Sequence, residues 1–148
     1  MFRLIGRAGY RVAWHLRKLW LRARGGTLHG CAVIARDEEG RVLLVRHSYG
    51  TRTWSFPGGG RKQGEDPAVA ARREFAEELG CNLGPLRFVG HLDIPYQGAT
   101  NAVDVFTALV DGSPRPDGVE LTHAAFFARD ALPHDLAKVA GLQLAMLD

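Results

Sequence analysis

Residues 54–81 read WSFPGGGRKQGEDPAVAARREFAEELGC, and this stretch holds several glycines and carboxylates at the spacing phosphate chemistry needs. Its second half has the marks of a helix. Asp66 is an N-cap residue, Pro67 fits the first helical position, where its missing N–H costs nothing, and alanine-rich sequence follows to Leu79. Gly80 supplies the stop. At about 100° per residue, Glu74, Glu77 and Glu78 fall within an arc of roughly 100°. Val69, Phe75, Ala76 and Leu79 gather around the other side, so the spacing predicts one packed face and one acidic face.

Carboxylates at i, i+3 and i+4 repel one another, and each such pair weakens a helix by a few tenths of a kcal/mol. A divalent cation removes that penalty. Mg²⁺ prefers oxygen donors in octahedral geometry and commonly takes one or two carboxylates, completing its shell with water and substrate phosphate. An acidic helix alone reads first as a solvated face, and the sequence beside it reverses that reading. Upstream lies Pro57-Gly58-Gly59-Gly60, followed by Arg61, Lys62 and Gly64. By itself the glycine run is a flexible turn. Beside the acidic helix, its exposed backbone groups and two cations suit a phosphate ligand.

From Gly59 the spacing is five residues to Glu65, seven more, then Arg73-Glu74-Phe75-Ala76-Glu77-Glu78-Leu79-Gly80-Cys81. This resembles the Nudix box, G-x5-E-x7-R-E-U-x-E-E-x-G-U, where U is a bulky apolar residue. All seven fixed identities are present, which equal residue frequencies would give at roughly one start in a billion. Phe75 and Cys81 stand where an aliphatic is usual, a change of packing more than of chemistry. Trp54 to Pro57 is similar to the family's entry strand.

At 148 residues, 46% hydrophobic and 24% charged, the chain suits one soluble domain able to bury a core without staples. Cys31 and Cys81 sit in apolar surroundings outside any metal spacing and read as reduced core residues, which suits a cytoplasmic setting. No run of about 18 apolar residues is present to span a membrane. The net charge of +3 conceals an asymmetry. Arg3, Arg7, Arg11, Arg17, Lys18, Arg22 and Arg24 fall in residues 1–24, which hold no acid, whereas the remainder is acidic on balance.

Residues 2–24 show helical spacing of Ile5, Val12, Leu16, Leu19 and Trp20, with Arg3, Arg7 and Arg11 one turn apart. Such a basic amphipathic helix suits peripheral docking on an anionic membrane surface. It suits equally its own domain, a second subunit of an oligomer, another protein, or nucleic acid. With Gly25-Gly26 as linker, residues 1–26 form one expected unit and residues 27–148 the other. In the second, strands are expected over Thr27–Arg36 and Arg41–Ser48, joined as a hairpin by the turn Asp37-Glu38-Glu39-Gly40. Two more are expected over Leu86–Ile94 and Ala102–Val110 around a polar loop from Pro95 to Asn101, and another over Val119–Phe127. A C-terminal helix is expected over His134–Leu147. Strand pairs flanking a helix, with another helix at the end, make an α/β body whose sheet is covered on both faces.

The resemblance covers residues about 28 to 147 and implies an α/β/α sandwich around a central mixed sheet. It also implies hydrolysis of a nucleoside diphosphate derivative with Mg²⁺, or Mn²⁺, as cofactor. Carried over by position, Glu74 and Glu78 are the first metal ligands, Glu77 is next, and a backbone carbonyl of Gly58 or Gly59 joins them. Glu65 supports, and Arg73 orients the glutamates by salt bridge. Glu74 is one candidate for the base that takes a proton from attacking water. Glu120 is the second, because VELTHAAFF resembles the family's downstream E-x-x-E-x-x-W segment, with His123 in place of the second acid and Phe126 in place of the Trp. Arg46, His47, Tyr49, Arg52, Arg61 and Lys62 are candidates to meet substrate phosphate or base. Substrate choice among nucleoside triphosphates, nucleotide sugars, ADP-ribose and capped RNA stays open. So does a catalytically silent nucleotide-binding module, although an undamaged box weighs against it.

Overall fold

A computed structural model of the chain describes residues 26–48, 50–96 and 98–148. The expected N-terminal helix and Tyr49 lie outside the described residues. Seven strands form one mixed sheet: β1 (Thr27–Arg36), β2 (Val42–His47), β3 (Gly58–Gly60), β4 (Asn82–Leu83), β5 (Arg87–Tyr96), β6 (Ala99–Asp111) and β7 (Leu121–Phe127). Helix α1 (Pro67–Leu79) and helix α2 (Lys138–Ala145) complete the body. The order is β4-β6-β1-β2-β7, with β3 paired to β1 and β5 to β6. Only β1 and β6 run parallel. None of the described helices is long and apolar enough to cross a membrane.

The turn between β1 and β2 forms as its composition demands. Asp37 Oδ1 accepts the N–H groups of Glu39 and Arg41, and Gly40 takes φ +81°. Past Arg36↔Val42, however, the hairpin opens, and residues 55–60 enter the gap. Ser55 exchanges two hydrogen bonds with Val45, at 2.8 and 3.0 Å, and Gly58–Gly60 pair with β1 in the register Ala32↔Gly58 to Gly30↔Gly60. The glycine run is therefore a strand and not the turn its composition suggests. A Cβ on Gly58 would stand 2.1 Å from the Cys31 carbonyl oxygen, so only glycine permits the approach. Further along, β5 and β6 pair as far as Tyr96↔Ala99, which absorbs most of the loop expected from Pro95 to Asn101.

Alternation along the strands assigns two cores. On one face Cys31, Val33, Leu43, Val45 and Phe106 pack against Phe75 and Leu79 of α1. On the other, Ile34, Val42, Leu44, Val105 and Trp54 pack against Ala140 and Leu144 of α2. The sheet is thus covered on both faces, as expected, and both cysteines are buried free thiols. The C-terminal helix is shorter than its periodicity suggests, because residues before it run extended: Trp54 and Leu136 form a parallel bridge, and the Ala137 N–H donates to the Trp54 carbonyl at 2.8 Å.

Two glycine substitutions should have opposite signs. Gly58→Ala is expected to lower stability by about 1–3 kcal/mol through overpacking. Gly141→Ala, inside α2 with nothing within 4 Å of the added methyl, should gain about 0.5–1 kcal/mol. Urea unfolding of both variants checks the pair.

Candidate active site

Helix α1 begins where the sequence places it. Asp66 is the N-cap, its Oδ1 accepting from Ala68 N–H at 2.9 Å, and Gly80 closes the end at φ +64° with its N–H on the Ala76 carbonyl. The buried face keeps Phe75 and Leu79 of the expected set but is rotated from the rest. Ala70, Ala71, Phe75, Glu78 and Leu79 are buried, while Val69 and Ala76 are exposed. Glu78 is 3% exposed, so the acidic side of the helix lies against the protein and not in solvent.

Arg73 organises this side. Its Nε and Nη2 each donate to one oxygen of Glu65 at 2.9 Å, Nη1 donates to Glu74 Oε1 at 3.0 Å, and Nη2 donates also to the Gly60 carbonyl at 3.0 Å. Glu77 Oε2 stands 3.6 Å from Nη1. Glu65 accepts the Lys62 N–H as well, and these bonds, those from Arg73 foremost, hold its carboxyl down at about 2. Arg73 is correspondingly harder to deprotonate, chiefly through Glu65. Glu65 is locked in an ion pair, and Arg73 spends its fork on neighbouring oxygens.

Glu74 and Glu78 are in a different state. Burial, with only part offset by Arg73, pushes the Glu74 carboxyl up to about 7, and Glu77 and Glu120 push the same way. Burial first, then the charge of Glu74, raises Glu78 well above the carboxylate range, and a hydrogen bond with Glu120 adds to it. Glu78 Oε2 is buried with no hydrogen-bond partner. Glu120, just before β7, is thus brought from 42 positions away in the chain to the carboxyl of Glu78. Such carboxyls stay ionised together only beside a compensating positive charge.

The glycines border this group. A Cβ on Gly59 would lie 2.6 Å from Glu74 Oε2, so the backbone leaves room for the carboxylate and nothing more. The Gly59 carbonyl accepts the Cys31 thiol at 3.6 Å and so faces β1, whereas the Gly60 carbonyl faces Arg73. Carbonyls alternate along a strand, which turns Gly58's the same way as Gly60's and makes it the better placed of the two expected backbone donors. Burial pushes the Cys31 thiol itself up to about 12, leaving it a weak donor and no thiolate. The donor set is hard oxygen, as Mg²⁺ and Mn²⁺ require. Among the described residues no three His, Cys, Asp or Glu surround one point.

The other candidates scatter. Arg46 shares the α2 face with Val42 and Leu44, by alternation, and stacks 4.6 Å over the Trp54 ring while paired to Asp135. It is on the wrong side of the sheet for the glutamates. His123, opposite Arg46, is 6.4 Å from the Trp54 ring on that same side, so it does not replace the missing acid in space. Trp54 is itself buried among these groups. His47, of opposite parity, belongs to the α1 face. Arg52 and Lys62 are exposed and Arg61 half-buried, Arg61 N–H bonding the His29 carbonyl at 3.0 Å. Sequence reasoning missed Asp117, whose carboxylate bonds the backbone leading into Glu120. The sequence offers only an Asp-Gly turn, Asp117-Gly118, which does not by itself single the carboxylate out.

The NUDIX domain model matches residues 28–146. A MutT NUDIX hydrolase from Burkholderia pseudomallei is similar in structure, with TM-score 0.76 and 26% identity over 82% of this chain and 98% of that one. In sequence, an ADP-ribose pyrophosphatase of Mycobacterium tuberculosis is 33% identical over 52% of this chain and 39% of its own length. An RNA pyrophosphohydrolase of Saccharophagus degradans is 44% identical over 39% of this chain and 34% of its own. The chain spans less than half the length of the curated relatives it matches.

Removing the guanidinium strands Glu65. Arg73→Ala is expected to destabilise by about 3 kcal/mol, and Arg73→Lys to recover little, since an ammonium cannot reproduce the fork. Because the folded Glu65 is held near 2 against an ordinary 4.5, its contribution is full above pH 4.5 and fades as pH falls toward 2. Denaturant melts from pH 6 to about 2.5 should show wild type losing an acid-sensitive increment that Arg73→Ala lacks.

Proposed function

The chain belongs to the NUDIX domain family, and from that premise we propose that it is a divalent-metal-dependent hydrolase of the diphosphate linkage in a nucleoside diphosphate derivative. The observation that carries this reading is the approach of Glu74 to Gly59 and of Glu120 to the buried Glu78, where Arg73, shared with Glu65, offsets only part of the cost of burying Glu74. Members of the family generally use divalent metals. When bound, Mg²⁺ or Mn²⁺ supplies positive charge against the diphosphate and makes a coordinated water more acidic.

Glu74 and Glu78 are the residues that would hold the cation, Glu77 the next, and the Gly58 carbonyl a backbone donor. Glu74, which Arg73 holds by one oxygen, or Glu120, which reaches Glu78, would take the proton of the attacking water. Glu65 and Arg73 keep α1 and β3 at fixed separation. Arg61, Lys62 and Arg52 lie on segments flanking the glycines and meet the substrate's phosphates. Arg46 is left with Asp135 and Trp54.

RNA is a second class of substrate to consider, favoured by the name of the Saccharophagus relative and by the seven basic residues in 1–24. There, the diphosphate linkage lies at the 5′ end of a strand. A 5′-triphosphorylated oligonucleotide turned over with steep salt dependence, lost on deleting residues 1–24, would select it over a free nucleotide.

A panel of nucleoside diphosphate derivatives with Mg²⁺, Mn²⁺ or chelator tests the main reading. Glu78→Gln should lower turnover by about 10²-fold or more, the scale of a lost positioned group. The same variant should melt no lower than wild type without metal, because glutamine carries no charge to desolvate. Near-normal turnover in Glu78→Gln would remove the carboxylate from the site. Silence of the wild type across the panel, alongside nucleotide binding, would favour a binding module.

A further inference from the structure

Residues 117–120 form a tight turn immediately before β7. Asp117 Oδ1 accepts three backbone N–H groups in succession, from Val119 at 3.0 Å, Glu120 at 3.0 Å and Leu121 at 2.9 Å. Gly118 sits at φ +76° and donates its N–H to the Leu121 carbonyl at 3.0 Å. The strand end beside it adds a second anchor: Ser48 donates its N–H to the Glu120 carbonyl at 2.8 Å and its hydroxyl to the Val119 carbonyl at 2.7 Å.

Both peptide groups of Glu120 are thereby fixed, its N–H by Asp117 and its C=O by Ser48. A residue held at both ends has little freedom in the direction of its Cα–Cβ bond. That direction brings the Glu120 carboxyl to Glu78. An Asp that only closed a turn would need one or two of these bonds. Here the third, to Leu121, ties the turn to the first residue of β7, whose side chain is fully buried in the α1-face core. We propose that Asp117 is a positioning residue for the hydrolytic reaction, holding Glu120 against Glu78 through the backbone amides that its carboxylate gathers. The proposal rests on the reading that Glu78 and Glu120 serve that reaction.

The test compares Asp117→Ala, which removes the acceptor, with Asp117→Asn, which keeps an oxygen there. Asp117→Ala should lower kcat by about 10- to 100-fold, the scale of outer supporting residues, with KM little changed, and Asp117→Asn should restore most of it. In a Glu120→Gln background, Asp117→Ala should add almost nothing. An equal loss in both backgrounds would show that Asp117 serves the fold alone and overturn the proposal, as would unchanged kcat in Asp117→Ala. A readout without turnover is the ¹³C carboxyl resonance of Glu78. It should move in Asp117→Ala as it does in Glu120→Gln, and by more than in Asp117→Asn, where only the direct effect of the Asp117 charge on Glu78 is lost. Were the wild type to hydrolyse nothing, the hydrolase reading would fail, and this resonance would still decide whether Asp117 places Glu120: a Glu78 signal indifferent to Asp117→Ala overturns it. Thermal melts of each variant confirm that the comparison is between folded proteins.

Discussion

The guanidinium of Arg73 joins three segments that the sequence separates. It bonds Glu65 before α1, Glu74 on α1 and the Gly60 carbonyl on β3. Each acceptor is partly withdrawn from water, so each bond is stronger than its exposed counterpart and dearer to lose. The consequence is geometric. Helix α1 cannot slide along the sheet without parting Arg73 from β3, and β3 cannot leave β1 because its glycines are already in backbone contact with Cys31 and Ala32. Glu74 and Glu78 are carried on the one helix so fixed.

Holding carboxylates in that position works against the fold. Glu78 is buried and Glu74 half-buried, Glu120 acts on both, and both are raised in pKa by burial before anything else. A protein selected for stability alone would fill such positions with apolar side chains. The arrangement stores an unmet need for positive charge at the one place where β3 exposes backbone and α1 meets the turn before β7. On the proposed reading a divalent cation would meet that need, and a diphosphate brought with it would supply further oxygens. Local disagreement between stability and sequence is what functional sites display.

Much of this was legible in the chain. Asp66, Pro67 and Gly80 mark the limits of α1 by rules that act within a few residues, and the spacing from Gly59 to Gly80 identifies the family. What escaped was set by contacts distant in sequence. A helical wheel sorts residues by polarity, so it turned Glu78 to solvent; the turn before β7, with Asp117 and Glu120, lies against it instead. Glycine's turn preference hid β3, because what makes a strand of Gly58–Gly60 is the absence of room beside Cys31. Arg46 could have been placed by parity with Val42 and Leu44, which already assigns it to the α2 face. Asp117 could not, since its three amide bonds appear only once the turn is drawn in space.

The most direct measurement is the melting temperature of the wild type and of Glu78→Gln as Mg²⁺ or Mn²⁺ is titrated without substrate. A cation that binds the folded state alone raises the melting point with concentration. The account requires a saturable rise in the wild type that is largely absent in Glu78→Gln. A wild type whose melting point ignores both metals, or a variant that rises equally, would contradict the claim that these glutamates are held together for a cation.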